Sequence, residues 1–359
     1  MHARGLIHHL CDDSQRPSGG PAAVLRSLQE GPANASELAR ANSISPSTVA
    51  TNCRPFVEAE FLTHVGEYEF TAAGLVFFGC FGDATETLTP SEIAVLSVSE
   101  HRLPILRSIA ETPGRKCDLH HQEDLPSRTT IEKTVTEFRT RDWASEDLSG
   151  VLSLTDAGRT AMAVYEEFLS ATETVLAATP FLRRLGERSL TIPVAALFDA
   201  TPIEESQYDT DALADAVLQL TETGADSGSV IGLVSTYSPV LLQQFATILQ
   251  DDIEYRFLLD AETAQRVRSS PYRHVVETAS ERPGVDIRIS QGALPFGFVT
   301  DGERIVVGAY GSPYEYPAGL VSTNEALVGW ALDIHAGYWE EAESLSFGST
   351  NMSARRRSM

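Results

Sequence analysis

Apolar residues recur at helical spacing through the first half of the chain, in short runs that turn-forming residues separate. This pattern predicts helices over 21–30, 35–41 and 47–61, followed by two short strands around Gly66-Glu67 and a further helix from 72 onward. Asn34 and Glu37 stand three residues apart at the start of the second helix, the spacing of a capping box. The predicted order is therefore three helices, a hairpin and a helix.

The same order recurs about eighty residues later. The segment 105–109 matches 24–28 at an offset of 81, 129–131 matches 47–49 at 82, and 152–158 matches 68–74 at 84. The small drift is what loop insertions produce. An internal repeat with a fixed order of elements is stronger evidence for a duplicated unit than any single amphipathic helix.

The third helix of the second copy, predicted over 127–143, has an apolar stripe and a polar one. Ile131, Val135 and Phe138 follow helical spacing and are expected to face a core. Short polar and basic residues fill most other positions, and such side chains reach base edges and phosphates. From the pattern alone, an ordinary amphipathic helix is the alternative. In the first copy Pro55 lies inside the third helix and is expected to kink or shorten it.

A long helix is predicted from 159 to about 185, ending near Pro180 because proline disrupts helices. Its apolar residues step by three and four, as in a coiled-coil seam, at Met162, Tyr165, Leu169, Thr172 and Leu176. The seam favours dimerisation, and packing of the helix on its own sensor domain is the alternative.

Strand-like and helical runs alternate in the second half. Strands are predicted over 190–198, 228–235, 255–259 and 285–289, with helices over 209–223, 239–250 and 261–279. Three further strands, 296–300, 305–309 and 319–322, precede a terminal helix over 324–345, and Asp301-Gly302 is expected to turn the first of them into the second. This alternation predicts an α/β domain with a mainly parallel or mixed sheet.

The charge of the chain bears on its partners. Its 359 residues carry 50 acidic and 27 basic side chains, a formal charge of -23, and the only lysines are Lys116 and Lys133. Scarce lysine and excess acid resemble proteins of salt-in halophiles; a disordered acidic chain is the alternative, which the regular apolar pattern disfavours. At molar salt, DNA binding must depend more on close contacts than on net charge. The sequence shows no signal peptide and no membrane-spanning run, so a cytoplasmic protein is expected.

Two sets of motifs resemble known archaeal proteins. The wing exits YEFTAAG and LSLTDAGR, with the third helices SPSTVATNCRPFVEAEFL and SRTTIEKTVTEFRTRDW, resemble archaeal winged helix-turn-helix regulators. In that family the third helix enters the major groove and the wing touches the backbone. The stretches GVDIRISQGALPFGFVTDGERIVVGAYG and GLVSTNEALVGWALDIHAGYWEEAE resemble the sensor domain of archaeal methanogenesis-regulator-like and TrmB-like transcription factors, which has a phospholipase-D-like fold.

The resemblance implies a haloarchaeal, multidomain regulator of α+β and α/β class. Its expected parts are two tandem winged helix-turn-helix domains (1–88 and 89–160), a linker or dimerisation helix (161–189), a non-catalytic α/β sensor domain (190–347) and a disordered tail (348–359). The expected partners are double-stranded DNA, a second copy of the chain and a small-molecule effector. A protein-interaction adaptor whose winged helices do not touch DNA is the alternative.

Candidate DNA contacts follow from the third helices. They are Ser47, Thr48, Thr51, Asn52 and Arg54 in the first copy and Arg128, Thr129, Thr130, Lys133 and Thr134 in the second, with Arg115 and Lys116 expected on phosphates. The second copy is favoured as the main reading unit, because its helix has no internal proline and both lysines lie in it.

The second half lacks catalytic motifs. Phospholipase D enzymes use HxKxxxxD, and no HxK occurs in this chain, nor does a P-loop, GxSxG, HExxH or GxGxxG. We therefore expect no enzyme activity and no cofactor, and no metal, since Cys117, His120 and His121 lack a second ligand pair. Effector ligands are sought beyond the carboxyl ends of the strands, with helix capping and turn formation as the alternative, at Asp199, Ser235, Thr236, Tyr237, Asp260 and Ser290.

Overall fold

The computed structural model describes residues 2–12, 19–121, 124–185, 191–197, 199–204, 211–223, 228–250, 252–309 and 318–347. The predicted tail, 348–359, lies outside them, as do residues 186–189 of the predicted linker. The chain divides into two compact units, Met1–Thr179 and Pro180–Met359. No helix in the described ranges is both long enough and apolar enough to cross a bilayer.

The first copy of the repeat has the predicted order of elements, preceded by a helix that the sequence patterns did not indicate. The elements are α1 (Ala3–Cys11), α2 (Pro21–Leu28), α3 (Ala35–Ala41), α4 (Pro46–Glu58), the antiparallel strands β1 (Leu62–Val65) and β2 (Glu67–Phe70), and α5 (Ala72–Thr85). The capping box is present, since the Asn34 side chain accepts from two backbone N–H groups and Glu37 accepts from the Asn34 N–H. Cys53 and Phe56 of α4 are fully buried, which turns one face of that helix to the core.

The prediction that Pro55 would kink or shorten α4 is wrong as to length. The helix spans 13 residues, the same length as its counterpart in the second copy. Pro55 removes one backbone donor late in the helix, and its own carbonyl still accepts from the Ala59 N–H at 3.0 Å. The lost hydrogen bond is thus confined to the last turns, and the buried side chains on either side of it keep the helix in place.

The second copy follows α5 directly and begins with α6. Its elements are α6 (Pro90–Ser97), α7 (Arg102–Glu111), β3 (Gly114–Arg115), α8 (Lys116–Leu119), α9 (Arg128–Thr140), β4 (Ala144–Glu146), β5 (Val151–Leu154) and α10 (Asp156–Leu185). The strands form a small antiparallel sheet in the order β3-β5-β4. Three helices and a hairpin therefore recur in the predicted order.

The two copies agree in atomic detail where each hairpin leads into a helix. A Cβ on Gly74 would stand 1.9 Å from the Phe61 carbonyl oxygen, and one on Gly158 would stand 2.0 Å from that of Trp143. A threonine precedes each glycine by three residues: the Thr71 hydroxyl accepts from the Gly74 N–H at 3.1 Å and donates to a backbone carbonyl just after α4. Only glycine allows this backbone-on-backbone contact.

Helix α10 packs on α5 within the first unit, a contact that neither of the two alternatives named. The Phe168 ring lies 5.9 Å from Phe77 and 6.1 Å from Phe81 of α5. Tyr165 and Thr172 of the predicted seam are buried here, whereas its other members, Met162, Leu169 and Leu176, are only half-buried. The helix also continues through Pro180, contrary to prediction. Pro180 removes only one backbone N–H donor, and the buried residues on both sides of it stabilise the helix.

The second unit contains, among its described residues, one mixed sheet of eight strands. In chain order it comprises a 3₁₀ helix (Val194–Leu197), β6 (Thr201–Glu204), α11 (Ala212–Thr223), β7 (Ser229–Val234), α12 (Pro239–Ile248), β8 (Glu254–Leu259), α13 (Ala261–Ser269), α14 (Arg273–Ser280), β9 (Val285–Ile289), β10 (Gly297–Thr300), β11 (Ile305–Ala309), β12 (Ala318–Ser322), α15 (Glu325–Trp339) and β13 (Glu343–Ser344). The strand order is β13-β9-β8-β7-β10-β11-β12-β6; β7, β8 and β9 are parallel and the other pairs antiparallel. The predicted mixed sheet and the hairpin at Asp301-Gly302 are both present.

Three predicted boundaries in this unit are wrong. The apolar run 190–198 contains a 3₁₀ helix after Pro193, and the strand comes later, at β6. The helix predicted over 261–279 is two helices, because Pro271 lies between them. The terminal helix ends at Trp339, and Glu343 and Ser344 then pair with β9 as an edge strand.

Side chains alternate between the two faces of the sheet. One face presents an apolar cluster that includes Val230, Tyr255, Phe257 and Val299, against which α11, α13 and α14 also contribute buried residues. The opposite face packs on α15, where the Phe296 ring stacks on Trp330 at 4.9 Å. Helices thus cover both faces of the central strands.

Replacing Gly74 with alanine tests the backbone contact. We expect Gly74→Ala to lower the free energy of unfolding by about 3 kcal/mol, because the new methyl group would overlap a backbone carbonyl that cannot move alone. The matched control is Gly79→Ala on the same helix, where a Cβ meets nothing within 4 Å. That change should be neutral or stabilise by about 0.5–1 kcal/mol. Equal denaturation midpoints for the two variants would contradict the assigned role of Gly74.

His335 on α15 gives the second unit a defined response to acid. Burial, with a smaller effect of Arg256, lowers the pKa of His335 from 6.5 to about 4. Its ring stacks on Trp339 at 5.0 Å, and its Nε2 has no hydrogen-bond partner. Between pH 6.5 and 4 the unfolded chain takes up a proton that the folded chain does not. Stability from this residue is therefore present above pH 6.5 and is lost as the pH falls through that window.

Comparison with His335→Phe isolates this effect, since phenylalanine keeps the ring and removes the titration. We expect wild-type protein to lose about 2 kcal/mol more than the variant between pH 6.5 and 4, after allowance for solvent screening. Urea denaturation at a series of pH values measures the difference. Parallel pH profiles would show that His335 titrates normally in the folded chain.

Candidate nucleic-acid interface and ligand pocket

The outer face of α4 is a stripe of four exposed residues, spaced by four, three and four: Ser47, Thr51, Arg54 and Glu58. This spacing places them on one side of the helix, opposite the buried side chains. The Thr51 hydroxyl donates to the Ser47 carbonyl at 3.0 Å, which fixes a short side chain against its own helix. Arg54 is the one cation of this stripe.

Helix α9 carries the same stripe 82 positions later, with exposed Thr129, Lys133, Thr136 and Thr140. The Thr136 hydroxyl donates to the Glu132 carbonyl at 2.7 Å, and that of Thr140 to the Thr136 carbonyl at 2.9 Å. Again a single cation, Lys133, stands among small hydroxyl side chains. We call these two surfaces the α4 stripe and the α9 stripe.

The cations around the α9 stripe are mostly paired with carboxylates. Arg128 donates to Glu132 at 2.8 Å. Lys116 donates to Glu146 at 2.9 Å, and Arg139 donates to the same carboxylate at 2.6 Å. The hydrogen bond from Lys116 lowers the pKa of Glu146 below its usual range, so the carboxylate stays ionised between the two cations.

Lys133 and Arg54 differ from these residues. Neither forms an ion pair within 4.0 Å of any residue in the described part of the chain. Both are exposed, at equivalent faces of equivalent helices but not at equivalent positions, since Lys133 corresponds to Thr51. Each stripe therefore presents one cation that is available to an external anion.

One predicted contact residue lies in the core. Thr134 is 4 % exposed, because its position falls on the same face as Ile131 and Phe138. The prediction of Thr134 as a DNA contact is therefore wrong. Among the other residues of α9 that were predicted to contact DNA, Arg128 and Thr129 are exposed to solvent and Thr130 is half-buried.

In the first copy Asn52 is held by the protein itself. Its side-chain amide donates to the Gly19 carbonyl at 3.1 Å, and its backbone carbonyl lies 3.0 Å from Nε2 of His9. Thr48 is half-buried, and its N–H donates to the capping hydroxyl of Ser45. Ser47, Thr51 and Arg54, which were also predicted to contact DNA, are exposed to solvent.

Sequence reasoning left Thr136 and Thr140 out of the candidate set, as it did Glu58. The signal was available, because these residues continue the spacing of four, three and four from Thr129 and Ser47. Arg115 is exposed where β3 meets α8, and its N–H donates to Asp118 at 2.7 Å. Lys116, by contrast, is half-buried in its ion pair.

The two hairpins carry acid and apolar tips in place of cations. The exposed Glu67 and Glu69 lie on the first, and Glu146 and Asp147 on the second; neither hairpin contains lysine or arginine. Val65 is 93 % exposed at the first tip and Leu148 fully exposed at the second. The hairpins therefore offer no cationic side chain to a phosphate.

The cysteines of the first copy are poorly suited to redox sensing. Burial raises the pKa of Cys53 to about 12, and burial with nearby Asp83 raises that of Cys80 to about 11. Thiols react as thiolates, so neither is reactive at neutral pH. Cys117 alone is exposed among the four free cysteines.

In the second unit an apolar pocket lies over the sheet, toward the carboxyl ends of parallel strands β7 and β8. Its cavity volume is about 100 Å³. Sheet residues form its floor, and residues of α11, α12, α13 and α14 form its walls; the lining comprises Val217, Thr221, Val234, Thr236, Tyr237, Ser238, Leu241, Leu242, Phe257, Leu259, Thr263, Val267, Val276, Ile287 and Val299. A smaller cavity of about 50 Å³ adjoins it, with Ser235 in its lining.

The six predicted ligand residues separate into two groups. Ser235, Thr236 and Tyr237 follow β7 and lie at these spaces. The other three make contacts elsewhere. Asp260 caps α13 by accepting from the Thr263 N–H at 2.6 Å, and Ser290 accepts from the Gly292 N–H; these are the capping and turn contacts that were the alternative. Asp199 accepts from the Asn324 side chain at 3.1 Å, a contact between distant parts of the sequence.

Comparison with protein families gives two matches. Residues 213–341 match the middle domain of the methanogenesis regulatory protein FilR1, and residues 90–177 match the HVO_A0261 N-terminal domain. Neither match alone covers half of the chain. Together they confirm the resemblance to archaeal regulators in both parts of the sequence. No curated protein matches the chain at a significant level.

Several solved structures are distantly similar to this chain. TrmBL2, an archaeal chromatin protein described with a novel mode of DNA binding, is 9% identical with a TM-score of 0.31, covering 68% of this chain and 94% of its own. The phospholipase D family member Nuc from Salmonella typhimurium (10%, 0.33) and NucT from Helicobacter pylori (9%, 0.32) each cover 40% of this chain and 97% and 98% of theirs. These scores are too low to establish a common fold.

Proposed function

We propose that this chain, an archaeal TrmB-like transcriptional regulator by the family domains it carries, binds duplex DNA through the α4 and α9 stripes. In this proposal each stripe belongs to the third helix of a winged helix-turn-helix unit. The observation that carries the proposal is the recurrence of the same exposed positions, with one unpaired cation each, on helices of equal length.

The dimensions of the two helices suit the major groove. A helix of 13 residues is about 20 Å long, and the groove is about 12 Å wide, which admits one α-helix. Short hydroxyl side chains let the helix backbone approach the base edges closely, and an unpaired lysine or arginine can hydrogen-bond guanine. Both stripes have this composition.

We propose that the α9 stripe is the stronger of the two. Pro55 gives no reason for this preference, because α4 is as long as α9. Charge supplies the reason instead. The α4 stripe ends in exposed Glu58, which repels phosphate, whereas its counterpart on α9 is Thr140. The α9 stripe therefore meets DNA without a carboxylate of its own.

The acidic chain and its acidic hairpins limit long-range attraction to DNA. Binding would depend on contacts made within the groove, which suits the high internal salt of the haloarchaeal cytoplasm that we propose for this protein. We further propose that the second unit senses a small molecule, and that two copies associate through the half-buried flank of α10, at Met162, Leu169 and Leu176. These residues recur every seven positions.

A protein-interaction adaptor is the second candidate, and the exposed hairpin tips favour it. Val65 and Leu148 occupy corresponding tips, and large apolar residues so fully exposed are uncommon unless a partner covers them. Val65→Ser with Leu148→Ser separates the two functions. An adaptor would lose its captured protein with these changes, whereas a DNA-binding regulator would keep its promoter occupancy.

Crosslinking of the tagged protein to its genome, followed by gel-shift titration on an enriched fragment, tests DNA binding. We expect Lys133→Ala to weaken binding roughly five- to 150-fold and Arg54→Ala to weaken it less, since a lost cation contact to base or phosphate costs about 1–3 kcal/mol. Arg266→Ala is the matched control: it removes one exposed cation from the second unit.

The control should bind like wild type. If no promoter at all is enriched, the proposal that this chain is a DNA-binding regulator is contradicted as a whole. Enrichment that survives the double variant Arg54→Ala/Lys133→Ala would instead remove the two stripes as the binding surface.

Glu146→Gln tests whether acid near the α9 stripe restrains binding. Lys116 and Arg139 both donate to Glu146, so the neutral amide should release two cations toward phosphate. We expect tighter binding to the same fragment. The binding constant should also fall more steeply with salt concentration, by the equivalent of about one to two additional phosphate contacts. Glu262→Gln, which breaks the Arg266 pair in the other unit, has the same charge change and should alter neither quantity. Unchanged binding by Glu146→Gln would show that Lys116 and Arg139 lie away from the DNA.

A further inference from the structure

The two copies of the repeat in the first unit pack on each other through matching elements. Helix α1 directly precedes α2 in the first copy, as α6 directly precedes α7 in the second, and α1 packs against α6. Leu6 and Ile7 of α1 are fully buried, and so are Ile93 and Leu96 of α6. Each copy therefore contributes its leading helix to the contact between them.

The last helix of each copy also contacts its counterpart. Helices α5 and α10 each follow a hairpin and begin with the same turn, in which a threonine hydroxyl accepts from a glycine N–H three residues later. The Phe168 ring of α10 lies 5.9 Å from Phe77 and 6.1 Å from Phe81 of α5. The leading helices and the last helices thus both meet their own equivalents.

Contacts between equivalent elements are characteristic of a two-fold arrangement. In a two-fold pair the same surface of each partner faces the other, whereas head-to-tail packing joins different surfaces. The contact of α1 with α6 and that of α5 with α10 are both of the first kind. The packing of the two copies therefore follows the pattern of a two-fold dimer that is contained in one chain.

This arrangement relates the two exposed stripes to each other. The α4 and α9 stripes lie on equivalent faces of equivalent helices, so a two-fold axis between the copies converts one stripe into the other. Reading helices related in this way bind inverted half-sites about 34–36 Å apart, which is one turn of duplex. A compact body of the size of Met1–Thr179 has a radius of gyration of about 16 Å, so it is wide enough for this separation.

The two stripes differ in chemistry at their matching positions. Lys133 corresponds to Thr51, whereas Arg54 corresponds to Thr136, three residues further along α9. Three residues span about 4.5 Å along a helix axis, so the two cations meet different parts of their half-sites. The half-sites are therefore expected to be inverted in direction and different in sequence.

We infer that a single chain of this protein reads a composite duplex site, made of two inverted and unlike half-sites about one helical turn apart, with one stripe on each. The target is thus an imperfect palindrome that needs no second chain to be read. This inference rests on the proposed function, because it requires that the stripes bind DNA. It goes further by naming the form of the site and the number of chains that read it.

Substitution of each base pair in an enriched fragment, followed by gel-shift titration, locates the half-sites. We expect two blocks of sensitive base pairs, about 10 base pairs apart from centre to centre. Lys133→Ala should reduce the sensitivity of one block and Arg54→Ala that of the other, since each variant loses a contact on its own side. Arg266→Ala, in the second unit, should leave both blocks unchanged. A single block would overturn the inference, as would two blocks that respond alike to each variant.

Insertions between the blocks test whether the two stripes are held at a fixed separation. Five inserted base pairs turn one half-site to the opposite side of the duplex, and ten restore the side but lengthen the distance. We expect each insertion to weaken binding about tenfold or more, because two stripes that share one core cannot both reach their half-sites. The same ten base pairs placed outside the blocks are the control and should not change the affinity. Full affinity after either insertion between the blocks would refute the inference.

Sedimentation of the complex, at the salt concentration of the binding assay, counts the chains. We expect one chain for each pair of blocks. Two chains for each pair, with both blocks losing sensitivity in Lys133→Ala and neither in Arg54→Ala, would show that two α9 stripes read the site. That result overturns this inference and leaves DNA binding by the regulator intact. A protein that binds no duplex at all contradicts the proposed function and this inference together.

Discussion

The first unit depends on one contact made twice, the approach of a glycine backbone to a carbonyl just after the third helix. Gly74 meets the Phe61 carbonyl and Gly158 that of Trp143, at distances that exclude any side chain. The contact fixes the start of α5 and of α10 against the ends of α4 and α9. Because α5 and α10 also pack on each other through Phe77 and Phe168, the orientations of both outer stripes are linked to one aromatic core.

This part of the fold could largely be predicted from sequence, because its determinants are local. The threonine and glycine of each wing exit are visible as a repeat, and the stripes follow from helical periodicity. Access to individual side chains could not be predicted in the same way. Thr134 packs inside because a threonine methyl is apolar enough for a core position, and the pairing of Lys116 with Glu146 joins residues 30 positions apart.

In the second unit, local sequence patterns predict less of the structure, and pairing between distant segments decides more of it. Alternating runs predicted a mixed sheet, but β6 and β13 form at the edges, where pairing with β12 and β9 decides whether a short polar segment becomes a strand. The pocket was located only in part. Ser235, Thr236 and Tyr237 could be chosen because they follow a buried strand. The cavity itself lies between the sheet and residues of four helices, α11 to α14, and no local pattern encodes how these meet.

Charge connects the two parts of the proposal. Around the α9 stripe nearly every cation has a carboxylate partner, so the surface has little net attraction for a polyanion, and Lys133 stands apart from these pairs. Such a surface discriminates through the few contacts that remain, and small changes in helix position then alter affinity strongly. The lining of the pocket in the second unit contains no charged side chain. Any ligand bound there would be selected by its shape and its apolar surface rather than by its charge.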